Sequence, residues 1–149
     1  MYEAVARFVI GSNRMLALAL TASVTAQLLK IPAHYVTRRR WDWRRAVGAG
    51  GLPSSHAAMV TSLATAVGCV EGWHSVLFAV VTVFALIVLY DAVGIRQAVG
   101  RQSAFLNRMQ RETNLGDIVQ VHLPESVGHT PLEVLAGAAW GVLLTVVFY

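Results

Sequence analysis

The sequence predicts an all-α fold, a multi-pass membrane helix bundle of about four transmembrane helices with a polar insertion before the last helix. Of its 149 residues, 56% are apolar and 13% are charged, whereas a soluble domain carries roughly 25% charged residues. A soluble protein of this size needs polar residues to cover its large relative surface. The apolar content excludes a disordered chain, and the single Cys69 excludes an intrachain disulfide scaffold.

Four apolar blocks have lengths near that of a bilayer crossing, which needs about 20 mostly apolar residues. The first is cleanest over 15–29, the second follows the glycines of 48–51, the third is almost free of polar atoms, and the fourth is interrupted only by Glu133. We expect one domain over 1–149, with spans near 8–29, 53–70, 73–95 and 130–149. The insertion at 97–128 has mixed charge and an apolar run too short to cross, so we expect a cytoplasmic lid or an interfacial segment.

The basic residues predict the orientation. If all four blocks span, the two long connections lie on one side of the bilayer. They hold ten of the 12 Lys and Arg residues, all except Arg7 and Arg14. The positive-inside rule therefore places both connections in the cytoplasm. The formal net charge of +4 is then the basic rim of a membrane protein, and nucleic acid is not an expected partner.

Two groups of polar residues on this basic face are candidates for chemistry. Lys30 ends the first block, either as a lysine that reaches the interface or as an anion ligand. Ser54, Ser55 and His56 open the second block directly after a Gly-Gly-Leu-Pro sequence. Proline suits a helix start, serine caps it, and the free amides of the first turn favour an anion. The alternative is a capped helix with an incidental histidine.

A third group opens the fourth block. His129 and Glu133 are four residues apart, so they share one face of a helix. A carboxylate beside an imidazole fixes its tautomer and raises its basicity, which leaves the other ring nitrogen as a nucleophile. At the end of the third block, Arg96 either pairs with Asp91 or offers its planar guanidinium to a phosphate. Together these side chains can bind a phosphate and attack it.

The motifs around these residues resemble those of a known superfamily. The Pro-Ser-Ser-His sequence at 53–56 resembles the Pro-Ser-Gly-His motif of the type-2 phosphatidic acid phosphatase and vanadium haloperoxidase superfamily. Gly128-His129 followed by Glu133 resembles its His-x-x-x-Asp element. The chain is similar to the divergent membrane branch of that superfamily over nearly its whole length, with the motifs in the right order.

This resemblance implies a role for each matching residue. His129 would be the nucleophile that forms a phosphohistidine, Glu133 would orient it, and His56 would be the general acid that protonates the leaving oxygen. The remaining predicted site residues would bind phosphoryl oxygens: Lys30, Ser54, Ser55, Arg96 and Arg101. Arg96 and Arg101 are alternatives for the arginine of the third motif. Such a site stabilises the transferring group without a metal ion or another cofactor.

The sequence departs from the superfamily pattern in four places. The first motif normally places an arginine seven residues after the lysine, but Thr37 stands there and Arg38 comes one place late. Ser55 replaces the motif glycine, and Glu133 replaces aspartate. The third motif normally places its arginine six residues before the histidine, whereas here the long insertion separates the two.

The function implied is that of a membrane phosphatase which hydrolyses a lipid phosphate or a polyprenyl diphosphate through a phosphohistidine. The alternative is a non-catalytic membrane protein that binds anionic lipid or phosphate at the same basic face. Oxidation chemistry with bound vanadate is a less favoured third interpretation. The expected partners are a lipid phosphate substrate and membrane lipids, and assembly into a homo-oligomer stays open. We expect no catalytic role for His34, His74 and His122.

Overall fold

The computed structural model describes residues 13–46, 48, 50–112, 123–124 and 128–149, and of Arg44 and Arg45 it describes only the backbone. Its elements are α1 (Arg14–Arg38), a short 3-10 helix (Trp43–Ala46), α2 (Ser55–Glu71), α3 (Val76–Val93), α4 (Ile95–Glu112) and α5 (Pro131–Phe148). The described ranges contain no strand, and the all-α prediction is confirmed. The expected start of the first span near residue 8, His122 and most of the apolar run at 118–123 lie outside the described residues.

The helices form a membrane bundle around α2. Three helical stretches are long and apolar enough to cross a membrane: α1, Val76–Glu112 with its apolar part in α3, and α5. The remaining expected span corresponds to α2, whose 17 residues reach about 26 Å, slightly less than the ~30 Å of a hydrocarbon core. This helix packs against α1, α3 and α5. Within the third expected span, near 73–95, the helix α3 ends at Val93, and Gly94 separates it from α4.

Polar side chains begin the helices, as the sequence indicated. Ser54 accepts a hydrogen bond from the amide of Ala57 at the start of α2. Thr130 caps α5 in a capping box with Glu133, and Pro131 occupies the first helical position. Each cap satisfies amides that have no partner within the helix. These local signals fix where α2 and α5 start, and the two histidine motifs predicted from the sequence lie at those two starts.

Small residues hold α5 close to α2. Gly137 and Gly141 are four residues apart, and a Cβ added at either would collide with a backbone carbonyl of α2, that of Ser54 or that of Ala58. Paired small residues at this spacing let membrane helices approach closely. The approach also brings the two helix starts together, because the amide of Ser54 donates to the carbonyl oxygen of Glu133 at 2.9 Å.

Candidate active site

Three helix ends meet at the basic face of the bundle. The starts of α2 and α5 are joined by the bond from Ser54 to Glu133. The end of α3 joins them because the amide of His129 donates to the carbonyl oxygen of Ala92 at 3.0 Å. His56 in the first turn of α2 and His129 just before α5 are therefore held near each other by backbone contacts.

Glu133 fixes the imidazole of His129. The Nδ1 atom of His129 lies 3.2 Å from Oε2 of Glu133, and the same oxygen accepts the amide of Thr130 at 3.0 Å. The hydroxyl of Thr130 accepts the amide of Glu133 in return. A carboxylate can only accept, so Nδ1 carries the proton and Nε2 keeps its lone pair. The capping box that starts α5 thus also selects the tautomer of the histidine beside it.

A cavity of about 430 Å³ gathers most of the predicted site. Five of the eight predicted site residues line it: Lys30, Ser55, His56, Arg96 and His129. Its walls come mainly from α1 and α3, with Val24 and Val88 as apolar contributors. Both helices pack on α2, but among the described residues they make no backbone contact with each other. The cavity therefore lies in a gap between two membrane helices.

A second cavity, of about 440 Å³, adjoins the first. The two share Lys30 and His129 together with the backbone of Gly50 and Gly128. The far wall of the second cavity is formed by polar residues that the first cavity lacks: His34, Thr37, Arg38, Gln97, Thr130 and Glu133. Glu133 lines the second cavity and not the first, whereas His129 lines both.

The two halves of the split third motif are adjacent in space. Gly128 has a φ of 98°, and a Cβ built on it would lie 2.5 Å from the amide nitrogen of Gln97 and 2.7 Å from the carbonyl carbon of Arg96. The chain thus returns from the insertion onto the peptide that it left. Arg96 and His129 both line the first cavity, although a long insertion separates them in sequence.

Comparison with known proteins agrees with these motifs. The sequence matches the Divergent PAP2 family over residues 11–144. The chain belongs to this family. It is also similar to the uncharacterized membrane protein YuiD of Bacillus subtilis (strain 168), with 36% identity over 148 residues that cover 91% of this chain and 94% of YuiD. No solved structure matches the chain. The superfamily resemblance is confirmed, and an integral membrane localisation is supported by the apolar helices and by this relative.

In this divergent PAP2 protein, burial sets the protonation state of the candidate nucleophile. His129 is 5% exposed and lies outside α5. Burial lowers its pKa below the ordinary 6.5, the hydrogen bond and charge of Glu133 raise it, and the charges of Lys30 and His56 lower it again. The net direction is downward, so the imidazole is neutral near pH 7. A neutral imidazole has the lone pair that a nucleophile needs.

The two cationic side chains at the cavity of the divergent PAP2 site, Lys30 and Arg96, differ in burial and in hydrogen-bond partner. Lys30 is only 3% exposed, and its Nζ donates to the carbonyl oxygen of Gly48 at 3.4 Å. Gln27, one turn earlier on α1, donates to the same oxygen at 3.1 Å. Arg96 uses its Nε to bind Asp91 at 2.7 Å, while its side chain stays half exposed. Arg96 therefore pairs with Asp91 and also lines the cavity, and its binding of a phosphate stays a prediction.

Three predicted residues lie outside the first cavity, and one of them, Glu133, lines the second. Arg101 is exposed, and its guanidinium donates to Oε1 of Gln97, one turn earlier on α4, at 3.3 Å. Ser54 is fully buried, and its amide is already bonded to Glu133. Ser54 thus supports the site as the cap of α2, and Ser55 is the serine that lines it.

Three features of the divergent PAP2 site were not predicted from the sequence. Asp91 was considered only as a partner of Arg96, yet it lines the cavity itself. His34, for which no catalytic role was expected, lines the second cavity. Gln27 was not considered, although its position three residues before Lys30 places both on one face of a helix.

Proposed function

We propose that this protein is a membrane phosphatase that hydrolyses a lipid phosphate or lipid diphosphate through a phosphohistidine at His129. One observation carries the proposal. Lys30, His56, Arg96 and His129 come from four separate parts of the chain and line one cavity. Membership of the Divergent PAP2 family agrees with a phosphatase-like membrane protein.

The first step transfers the phosphoryl group to the protein. Nε2 of His129 attacks phosphorus, an N–P bond forms, and the bond from phosphorus to the lipid oxygen breaks. His56 gives its proton to that leaving oxygen. Glu133 accepts the hydrogen bond from Nδ1 of His129, which stabilises the positive charge that develops on the imidazole.

The charge on the transferring phosphoryl oxygens is stabilised by Lys30, Arg96 and the first amides of α2. An anion at a helix start is favoured by the free amides and the helix dipole. Lys30 is buried, and a cation in a region of low dielectric interacts more strongly with a nearby anion than one in water. Asp91 holds Arg96 at the cavity before the substrate arrives, through their 2.7 Å ion pair.

The second step returns the protein to its starting state. Water enters the position vacated by the lipid alcohol and attacks phosphorus opposite Nε2 of His129. His56, which lost its proton in the first step, takes one from this water. The N–P bond breaks, and inorganic phosphate leaves with the electron pair returned to Nε2.

A substrate with a lipid tail fits the position of the cavity. The cavity lies between α1 and α3, which make no backbone contact among the described residues. Val24 and Val88 present apolar surface there, and Val24 is mostly exposed. A tail can extend through this gap into the surrounding bilayer while its phosphate stays beside His129.

Phosphate release by the purified protein in detergent tests the proposal. The wild type is expected to release phosphate from at least one member of a panel of phosphatidic acids, lysolipid phosphates and polyprenyl diphosphates. Orthovanadate is expected to inhibit, because its trigonal bipyramidal form occupies the site of the transferring group. His129→Ala is expected to bind the same lipid without release and without an acid-labile phosphoenzyme. Binding by the wild type with no release from any substrate would favour the anion-binding alternative.

The orientation is part of the proposal. We propose that the site faces the cytoplasm, because the arginine-rich connections favour that side by the positive-inside rule. With Cys69 replaced, a cysteine at the exposed His74 is expected to react with an impermeant maleimide from outside intact cells. A cysteine at the exposed Glu112 is expected to react only after the membrane is opened. The reverse pattern would place the site on the outer face.

A further inference from the structure

Most of the described part of the insertion belongs to α4, which is an amphipathic helix. Five large apolar residues of α4 are each at least 43% exposed: Ile95, Val99, Phe105, Leu106 and Met109. Their spacing of 4, 6, 1 and 3 residues places them within one stripe of a helix that turns by about 100° per residue. The stripe faces away from the bundle along the whole length of α4.

The face of α4 that points inward is polar. Its buried residues are Gly100, Ser103 and Asn107. Asn107 donates from Nδ2 to the carbonyl oxygen of Leu123 at 2.8 Å, and its Oδ1 accepts the amide of Leu123 at 3.0 Å. A helix of a soluble protein normally buries its apolar stripe and exposes its polar face. In α4 this order is inverted, as on a surface that contacts lipid.

The neighbouring structure indicates what covers the stripe. Only Gly94 separates α4 from α3, whose exposed surface is continuously apolar, with Val83, Phe84 and Ile87 each more than half exposed. Among the described elements, α4 contacts only α3. The apolar surface of a membrane-spanning helix therefore continues directly into the stripe of α4.

The charges of α4 fit a position at the membrane surface. Four arginines and one glutamate lie along its 18 residues, too many charges for a helix that crosses the hydrocarbon core. Arg108 pairs with Glu112 at 2.7 Å, so a net positive charge remains. An apolar stripe beside an arginine-rich face is typical of helices that lie in the interface and attract anionic lipid.

We propose that α4 lies along the membrane surface, with its apolar stripe among the acyl chains and its arginines at anionic lipid headgroups. The partner is an anionic bilayer surface. Because Gly128 packs on the peptide between Arg96 and Gln97, the membrane that positions the first turn of α4 also positions the backbone before His129. The inference goes beyond the proposed function and does not depend on turnover.

Fluorescence quenching tests the depth of the stripe. With Cys69 replaced, a polarity-sensitive label is placed at Leu106→Cys or at the matched control Ala104→Cys, about 200° away around the helix. The protein is reconstituted into vesicles of phosphatidylcholine and phosphatidylglycerol that carry nitroxide on the acyl chains. The label at 106 is expected to be quenched by nitroxide at least threefold more than the label at 104, and iodide is expected to show the reverse.

Equal nitroxide quenching at 104 and 106 would overturn the proposal. Protection of position 106 from both quenchers would also overturn it, because protein would then cover the stripe. The role of lipid charge is tested by comparing vesicles with and without phosphatidylglycerol. The fraction of the label at position 106 that lies among the acyl chains is expected to fall when phosphatidylglycerol is left out. The same fraction is expected to fall by about fivefold for each arginine removed, in Arg108→Gln and in Arg111→Gln. No effect of either change would overturn the role of anionic lipid.

Discussion

Gly128→Ala is the perturbation that most directly tests how the split motif is rejoined. The added Cβ would lie 2.5 Å from the amide nitrogen of Gln97, whereas ordinary van der Waals contact begins at 3.4 Å. The two backbone segments must therefore separate by about 0.9 Å, the difference between these distances. Neither side of this contact is a flexible side chain, so the displacement falls on the backbone before His129, on the peptide after Arg96, or on both.

The size of the effect follows from that displacement. Misplacing a reacting group by about 1 Å costs roughly 10²-fold in rate. We therefore expect kcat for phosphate release to fall about 10²-fold in Gly128→Ala. The positive φ of 98° at this position adds backbone strain of about 1–2 kcal/mol for any residue with a Cβ. This strain lowers stability and has to be separated from the effect of the collision.

Gly72→Ala is the matched control. Gly72 has a φ of 90°, and nothing lies within 4 Å of a Cβ built on it. The control therefore carries the same kind of strain without the collision. Thermal unfolding in detergent is expected to shift similarly in both variants, while only Gly128→Ala loses turnover. Equal kcat in the two variants would refute the reasoning that this contact positions His129.

Three further predictions follow from the site and the packing around it. Because burial holds the pKa of His129 below 6.5, protonation of its Nε2 is expected to lower kcat/KM only below that pH, whereas loss of the His56 proton that the leaving oxygen needs is expected to lower kcat/KM as the pH rises; a pH profile in detergent measures both limbs. His56→Ala is expected to slow turnover by about 10²- to 10⁴-fold, with a smaller loss for an aryl phosphate whose leaving group needs no proton. Gly141→Val is expected to lower the stability of the α2–α5 contact by about 1–3 kcal/mol, whereas the exposed Ala139→Val changes it by less than about 0.5 kcal/mol; thermal unfolding compares the two.

The parts of the site that the sequence predicted are those determined by local chemistry. Ser54 and Thr130 begin their helices because short polar side chains satisfy the first amides. The spacing of His129 and Glu133 places them on one side of a turn, and the structure shows the hydrogen bond that this predicts. Such features depend on a few neighbouring residues, so a single sequence is enough to find them.

The remaining features depend on contacts between distant segments. The return of Gly128 onto the peptide after Arg96 joins positions that the sequence separates widely, and no local pattern encodes it. The stripe of α4 was missed because its apolar residues are dispersed among polar ones and form no block. The spacing of Gly137 and Gly141 is a local signal for close packing of membrane helices, and it was not among the predictions.

The gap between α1 and α3 has a consequence for how the reaction must be measured. If the substrate enters through this gap, the protein meets it by diffusion in two dimensions within one leaflet. The relevant concentration is then the mole fraction of substrate among the lipids or detergent molecules, and not its amount per volume. Diluting substrate with inert detergent at constant bulk concentration is expected to lower the rate, whereas adding buffer at constant mole fraction is not.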